Sequence, residues 1–328
     1  MLDSDTVRNM TFVSWRTGNL DAGRFACDRL RCLPGIAPSE AEEARRNMAF
    51  YVVPFASFAR DFVEWRLDPG APGVADAPAL TTDGDDVGLL AVVRLQSGGG
   101  DCWRWIALDQ LGAPRGGAGE MAGSLALPDG WRVAGPQLLA HPLAGDEAVT
   151  LSGAAFSPDA GPPRLALAPF DARARAFGAA RLVGDPDPGL WTGPWPLAWR
   201  EGRLAVLPSL GPTAALDVAA DGRLGFAGLA EAPRVADALH GATPLARFGD
   251  GYLAMAREFV AYPGGPGFET GGLGEYDPYP NGLHVAHRLA AFDGELRMTG
   301  LSHAFVFRGL GREACGGLAV TGDRVVLT

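Results

Sequence analysis

The segment Gly249–Glu258 reads GDGYLAMARE, a Gly/Asp turn followed at once by an apolar run of strand length. The same combination of turn and strand occurs four more times, at Asp83–Arg94, Gly145–Leu151, Glu201–Leu207 and Thr321–Leu327. The starts lie roughly 45 to 75 residues apart, which is the length of one unit of about four short strands with variable loops. The recurrence therefore predicts a repeated, mainly β architecture.

Composition supports short strands joined by many turns, because the 328 residues include 46 Gly and 26 Pro. Five copies of the turn and strand favour a five-bladed β-propeller, with a β-sandwich carrying long loops as the competing architecture. The last copy stops within a strand at Thr328. We therefore expect the natural chain to continue beyond that residue.

The first 60 residues differ from the rest and predict helices. Asp5–Trp15 and Asp21–Leu33 carry apolar residues at helical spacing and are joined by a Gly-Asn turn. A third helix is expected after Pro38, with Ser39 as its N-cap and Glu42 completing a capping box. The helical pair resembles one tetratricopeptide-type hairpin, which cannot bury its own face alone. It is either the end of a longer solenoid or a cap on the next domain. We favour the second alternative, with a helical cap formed by residues 1–58 and a propeller formed by residues 59–328.

Charge and cysteine usage limit the class of partner and the compartment. The net charge of −10 disfavours a nucleic-acid partner. The chain lacks a secretion signal and any apolar run near the ~18 residues of a membrane span. Its four cysteines form no C-x-x-C pair, which indicates reduced thiols. We expect a cytoplasmic protein with no membrane span.

No cofactor or metal is expected from the sequence. The Gly-rich segment Ser97–Asp101 has no Lys and no following helix, as a phosphate-binding loop requires. The loop Gly264–Gly274 contains Glu269 but lacks the regular acidic spacing of a calcium loop.

Several segments together resemble one family. They are Arg46–Tyr51, Asp250–Leu253 with Arg257-Glu258, His287-Arg288 with Phe292-Asp293, and Phe305–Phe307 with Glu313 and Gly317-Leu318. The family is the five-bladed propeller found beside tetratricopeptide repeats and glycosyltransferase domains in bacterial proteins. That propeller is itself similar to mannoside phosphorylases and related five-bladed glycosidases. The resemblance runs from about Trp15 to the end and is most specific in the last third.

The chain departs from the family's pattern in three blades. Ala77–Leu80 stands where the family usually shows Asn-Pro-Ser-Ile, and Ala134–Gln137 where it shows Glu-Asp-x-Arg. Thr192–Pro196 stands where it shows Glu-Lys-Asn-Trp before a Pro. Most charged and amide groups are thus missing at these positions. Because glycosidases usually need two carboxylates, the departures predict a sugar-facing pocket with eroded catalysis.

The candidate site residues are the polar groups that remain. Glu258 and Glu313 are the candidate acid/base pair, and Arg94, Trp195, Arg257, His287 and Arg288 are candidates for substrate binding. Glu258, His287, Arg288 and Glu313 are expected at strand ends, where separate strands can converge. Each also has a structural interpretation: an ion-pair partner for Glu258, a strand-end cap for Glu313, a buried hydrogen bonder for His287, and core packing for Trp195.

Three functions remain open from the sequence. The first is a carbohydrate-associated propeller that binds glycans or serves as a scaffold for glycosyltransferases in glycan assembly. The second is an active glycoside hydrolase or phosphorylase using Glu258 or Glu313. The third is a protein-interaction scaffold that docks through its helical segment.

Overall fold

The computed structural model describes residues 4–31, 33–57, 61–70, 76–82, 88–97, 100–123, 125–128, 130–140, 149–156, 164–183, 195–200, 202–232, 239–261, 283–308 and 313–328. This part of the chain opens with helices and is otherwise built mainly of strands. Helices α1, α2 and α3 span Ser4–Thr17, Leu20–Arg31 and Pro38–Asn47, and short 3-10 helices span Met48–Tyr51 and Phe55–Ser57.

The helices pack around their own small core. Val7, Ala26, Leu30 and Ala44 are buried together there. The predicted capping box is wrong, because α3 begins at Pro38 and Ser39 is already inside the helix. A proline fits the first helical position, where its missing N–H has no intrahelical acceptor. The likeness to a tetratricopeptide repeat stays a prediction.

The strands form antiparallel sheets in chain order. The first sheet has β2 Ala79–Thr82, β3 Leu89–Ser97, β4 Gly100–Leu108 and β5 Gly119–Glu120. The second has β6 Arg132–Ala140, β7 Val149–Phe156, β8 Arg164–Asp171, β9 Ala176–Phe177 and β10 Arg181–Val183. The third has β11 Leu197–Arg200, β12 Arg203–Leu210, β13 Thr213–Val218 and β14 Leu224–Ala230.

The fourth sheet is the largest, and it also takes in a strand from the N-terminal region. Its members are β1 Val53–Pro54, β15 His240–Gly241, β16 Ala246–Phe248, β17 Gly251–Ala261, β18 Leu283–Phe292, β19 Met298–Leu301 and β20 Phe305–Val306. β1 pairs in parallel with β20, which ties the segment after the helices to this sheet. A fifth, two-stranded sheet joins β21 Leu318–Thr321 and β22 Arg324–Leu327.

Alternation of side chains places each sheet between two cores. In β12, Leu204 and Val206 enter a core shared with the second sheet, and Ala205 and Leu207 enter a core shared with the fourth. β3 and β17 alternate in the same way between their neighbouring cores. Successive side chains of a strand point to opposite faces, so a strand buried on both faces reads as an unbroken apolar run.

The recurring turn and strand of the sequence marks the same place in each sheet. Each copy leads into the strand that lies next to the edge strand β2, β6, β11, β15 or β21 of its sheet. These second strands are β3, β7, β12, β17 and β22, respectively. The turn residues 83–87 and 145–148 lie outside the described part of the chain. The prediction of a mainly β fold is therefore confirmed, and the number of blades stays a prediction.

Contacts between sheets run around a closed cycle. β2 lies beside β6, β6 beside β11, β12 beside β15, β16 beside β21, and β21 again beside β2. The first strands approach so closely that glycine is required at some contacts: a Cβ atom on Gly241 would lie 1.7 Å from Cγ of Pro196, at the junction of the fourth and third sheets. The third and fourth sheets are thus packed tightly at this junction.

No helix in the described part of the chain has both the length and the hydropathy needed to cross a bilayer.

Substitution Gly241→Ala tests the close approach of the first strands. Because the added methyl group overlaps Pro196, the free energy of unfolding should fall by about 1–3 kcal/mol. Gly116→Ala is the matched control, since a Cβ atom there meets nothing within 4 Å. Urea unfolding of the wild type and of both variants gives the three free energies of unfolding. Equal values for the two variants would contradict the close packing of Gly241 against Pro196.

Candidate functional site

The two long strands of the fourth sheet carry most of the candidate residues. Register places Arg257 of β17 opposite His287 of β18, and Glu258 opposite Ala286. Glu258, His287 and Arg288 therefore lie within long strands, and the prediction that they stand at strand ends is wrong. Strand alternation separates them into two groups, with Glu258 and Arg288 on one face and Arg257 and His287 on the other.

On the first face, Glu258 is held between two arginines. Its Oε2 lies 2.6 Å from Nη2 of Arg24, on α2, and its Oε1 accepts a hydrogen bond of 2.9 Å from Nε of Arg288. All three side chains are buried. Burial lowers the pKa of Arg24, and the charge of Glu258 opposes that shift. A buried carboxylate paired with two guanidinium groups favours a structural role.

This cluster continues to the edge of the helical segment. Nη1 of Arg288 donates to the carbonyl of Ser302 at 2.7 Å and lies 3.5 Å from Oδ1 of Asp21. The other oxygen of Asp21 lies 2.8 Å from Nδ1 of the half-exposed His303. The ion cluster Asp21–Arg24–Glu258–Arg288 therefore fastens α2 to the fourth sheet.

On the second face, polar groups form a row across three strands. His240 of β15 is opposite Arg257, and Arg257 is opposite His287. The row ends on aromatic groups, because the His287 ring lies 6.1 Å from the Phe305 ring and 5.0 Å from the Phe307 ring. His240 and Arg257 are partly exposed, whereas His287 is 0% exposed. We call His240, Arg257 and His287 the polar row.

Within the polar row, His287 is a neutral group with unused hydrogen-bonding capacity. Burial, together with the neighbouring charge of Arg257, lowers the pKa of His287 to about 4. The same two causes lower the pKa of His240, and burial lowers that of Arg257. Neither ring nitrogen of His287 has a hydrogen-bond partner among the described residues. A buried polar group without a partner is costly, so it marks a place where a further group is expected.

Two further polar contacts involve Arg94 of β3 and Gln137 of β6. Arg94 forms a largely buried ion pair with Asp76, just before β2. Gln137 of β6 donates through Nε2 to the carbonyl of Ala242 at 3.0 Å, which links the second sheet to the fourth. Its Oε1 is buried, with no partner in the described part of the chain.

The remaining candidates occupy structural positions. Both oxygens of Glu313 accept 2.7 Å hydrogen bonds from the backbone N–H groups of Phe307 and Arg308, which matches the strand-end cap considered from the sequence. Trp195 is 2% exposed and packs in the core between the second and third sheets. Glu313 and Trp195 therefore have protein partners, and their roles in catalysis and substrate binding stay predictions.

Several residues of these clusters could not be predicted from the sequence. Asp21 and Arg24 are separated from Arg288 by more than 260 positions, and no local pattern reports such a pairing. His240 lies in a strand of two residues, too short to show periodicity. Gln137 ends the segment Ala134–Gln137 within β6, which the sequence marked only as a departure from the family pattern.

Comparison with known proteins adds a distant likeness in fold. No protein-family model and no curated protein sequence matches the chain. Among solved structures, a glycosyl hydrolase from Bacteroides ovatus is similar over 78% of this chain and 80% of its own, with 12% identity and a TM-score of 0.47. The catalytic domain of the Coprinopsis cinerea GH62 alpha-L-arabinofuranosidase is similar over 78% and 79%, with 12% identity and a TM-score of 0.38. The Dos1 propeller is similar over 75% and 76%, with 10% identity and a TM-score of 0.26.

The polar row brings together several hydrogen-bond donors and acceptors. A guanidinium group offers five N–H donors, and each neutral imidazole offers one donor and one acceptor. Hydroxyl groups both donate and accept, so such a row suits a polyhydroxylated ligand. The loop 264–274, considered above for calcium, lies outside the described residues.

Substitution Glu258→Gln tests the structural role of the ion cluster. It leaves Arg24 and Arg288 buried without the carboxylate, so the free energy of unfolding should fall by about 3 kcal/mol. The control is Glu120→Gln, which neutralises an exposed carboxylate 3.7 Å from Arg104 and should cost under about 1 kcal/mol. Chemical unfolding gives both values; a Glu258→Gln protein as stable as the control would refute the structural role.

The lowered pKa of His287 makes stability depend on pH. In the unfolded chain a histidine binds a proton near pH 6.5, whereas folded His287 resists protonation until about pH 4. The stabilising contribution is thus complete above pH 6.5 and is lost as pH falls, by roughly 3 kcal/mol at pH 4. Unfolding of wild type and His287→Gln between pH 7 and 4 isolates this difference. Identical slopes for wild type and His287→Gln would contradict the assignment.

Proposed function

We propose that the chain is a cytoplasmic, carbohydrate-associated five-bladed β-propeller that binds a saccharide through the polar row rather than cleaving it. The cyclic contacts between sheets support the propeller, with β21 and β22 as part of the fifth blade. The resemblance of the last third of the sequence to propellers of glycan metabolism supports the ligand class.

One observation carries the binding role. His287 is fully buried and neutral, and both of its ring nitrogens lack a partner in the described structure. It sits directly beside Arg257, which is partly exposed. A ligand hydroxyl bound at Arg257 would lie next to the buried His287 ring, and a small rotation of the ring toward it would remove the cost of an unsatisfied imidazole.

The carboxylates favour binding over hydrolysis or phosphorolysis. A glycosidase acid and its partner carboxylate flank the scissile bond and must reach the sugar or a water. Here Glu258 is occupied by Arg24 and Arg288, and Glu313 by two backbone amides. Both groups are committed to holding the protein together.

The resemblance also places such propellers beside glycosyltransferase domains, and we extend the proposal to a glycosyltransferase partner. The whole chain should then co-purify with a co-expressed glycosyltransferase of the same cell. If the glycosyltransferase does not bind the chain, the proposed partner is wrong and the proposed saccharide binding is unaffected.

A saccharide panel in a thermal-shift assay, with a parallel measurement of released sugar, tests the function. A ligand at 100 times its dissociation constant should stabilise the fold by about 2.7 kcal/mol, without sugar release. Arg257→Gln should weaken binding about tenfold, because it removes charged donors to the ligand. Arg203→Gln, at a position exposed by 74%, serves as the matched control and should bind normally.

Two outcomes would contradict the proposal. Sugar release that disappears in a correctly folded Glu313→Gln protein would establish an enzyme. Absence of any shift with mono-, oligo- and nucleotide-linked sugars would remove the carbohydrate role.

A further inference from the structure

Phe307 places an aromatic ring beside the polar row. It directly follows β20, whose Phe305 is opposite His287 of β18. The centroid of the Phe307 ring lies 5.0 Å from that of the His287 ring and 5.5 Å from that of the Phe305 ring. His287 and Phe305 are fully buried, whereas Phe307 is partly exposed. Phe307 therefore offers part of an aromatic ring to a ligand next to the polar row.

Contacts on two sides hold Phe307 in place. Its backbone N–H donates a 2.7 Å hydrogen bond to Oε2 of Glu313, and the N–H of Arg308 donates one of the same length to Oε1. The Phe55 ring packs against the side chain, with 5.4 Å between the two ring centroids. Because the backbone and the ring are both restrained in this way, contact with a ligand costs little further conformational entropy.

A pyranose ring matches this combination of an aromatic ring and hydrogen-bond donors. The face of an aromatic ring is negative, so it attracts the slightly positive, apolar C–H groups that line one face of many pyranoses. The hydroxyl groups at the rim of the same sugar need polar partners. Arg257 provides donors one strand away from His287, a spacing of about 4.8 Å. A sugar ring in contact with Phe307 thus has a guanidinium group within reach of its rim.

We propose that Phe307 is a stacking platform for a pyranose whose hydroxyl groups bind Arg257. This inference rests on the proposed saccharide binding and narrows the ligand to a cyclic sugar with a face of C–H groups. An open-chain polyol offers hydroxyl groups to Arg257 but presents no ring face to Phe307. Phe307 therefore determines the preference for the ring form, and Arg257 binds hydroxyl groups of either form.

Matched sugars test the stacking. The probes are the methyl pyranosides of glucose, galactose and mannose, and the control ligands are the open-chain alditols of the same three sugars. Titration calorimetry should show at least one pyranoside binding about fivefold more tightly than its alditol. Phe307→Leu should abolish this preference, whereas Phe307→Tyr keeps an aromatic face and should retain it. The C–H protons of the bound pyranoside should also shift upfield in nuclear magnetic resonance spectra with the wild type and not with Phe307→Leu, because only an aromatic ring produces a ring current.

Phe226→Leu is the matched control variant, because Phe226 is 73% exposed on β14 of the third sheet and should not affect binding. Thermal unfolding shows whether each variant is folded. If Phe307→Leu does not fold, the comparison of pyranosides with alditols and the proton shifts still decide the question for the wild type.

Three results would overturn the stacking. The first is wild-type affinity for the pyranoside in a folded Phe307→Leu protein, and the second is equal binding of pyranosides and alditols. If Arg257→Gln still weakens binding in either case, the proposed saccharide binding stands and only the role of Phe307 is wrong. The third is a wild-type chain that binds none of these sugars, and the wider saccharide panel then decides the proposed function separately.

Discussion

The carboxylate of Glu258, buried between Arg24 and Arg288, fixes the relation between the helices and the ring of sheets. Two buried guanidinium groups repel one another; the carboxylate between them attracts both, and Asp21 supplies a second negative charge beside Arg288. Asp21 and the Ser302 carbonyl complete the surroundings of Arg288. Because the arginines come from a helix and a strand, neither element can move from the other without exposing or separating these charges. The N-terminal helices are therefore bound into the fourth sheet electrostatically as well as through the pairing of β1 with β20.

One pair of strands serves two purposes through its two faces. Glu258 and Arg288 turn one face of β17 and β18 toward α2, where they hold the fold together. Arg257 and His287 occupy the opposite face, in a row with His240. Neighbouring residues in the sequence thus have unrelated roles, since successive side chains of a strand point in opposite directions. Glu258 and Arg288 are thus paired within the protein, whereas both ring nitrogens of His287 lack a partner in the described structure.

Local features of the fold could be predicted from the sequence, and long-range pairings could not. The turn before each second strand and the apolar run after it are contiguous, so β3, β12 and β17 were predictable, as were α1 and α2. The N-cap of α3 was predicted wrongly because Pro38 and Ser39 are adjacent: serine is typical of an N-cap, and proline is typical of the first helical position. For the site, sequence named Glu258, Arg257 and His287, but their partners Arg24 and His240 depend on tertiary contacts. The sheet face that each side chain occupies depends on strand register, which cannot be read from the sequence.

The most direct measurement is nuclear magnetic resonance of the histidine rings in the nitrogen-15-labelled chain, recorded with and without saccharides. The account predicts that His287 stays neutral at pH 7 and that the ring signals of His240 and His287 shift on adding the saccharide that stabilises the fold. His303, outside the polar row, should keep its signal, and no sugar should be released. A charged His287 at pH 7, or a stabilising saccharide that leaves both signals in place, would contradict binding at the polar row.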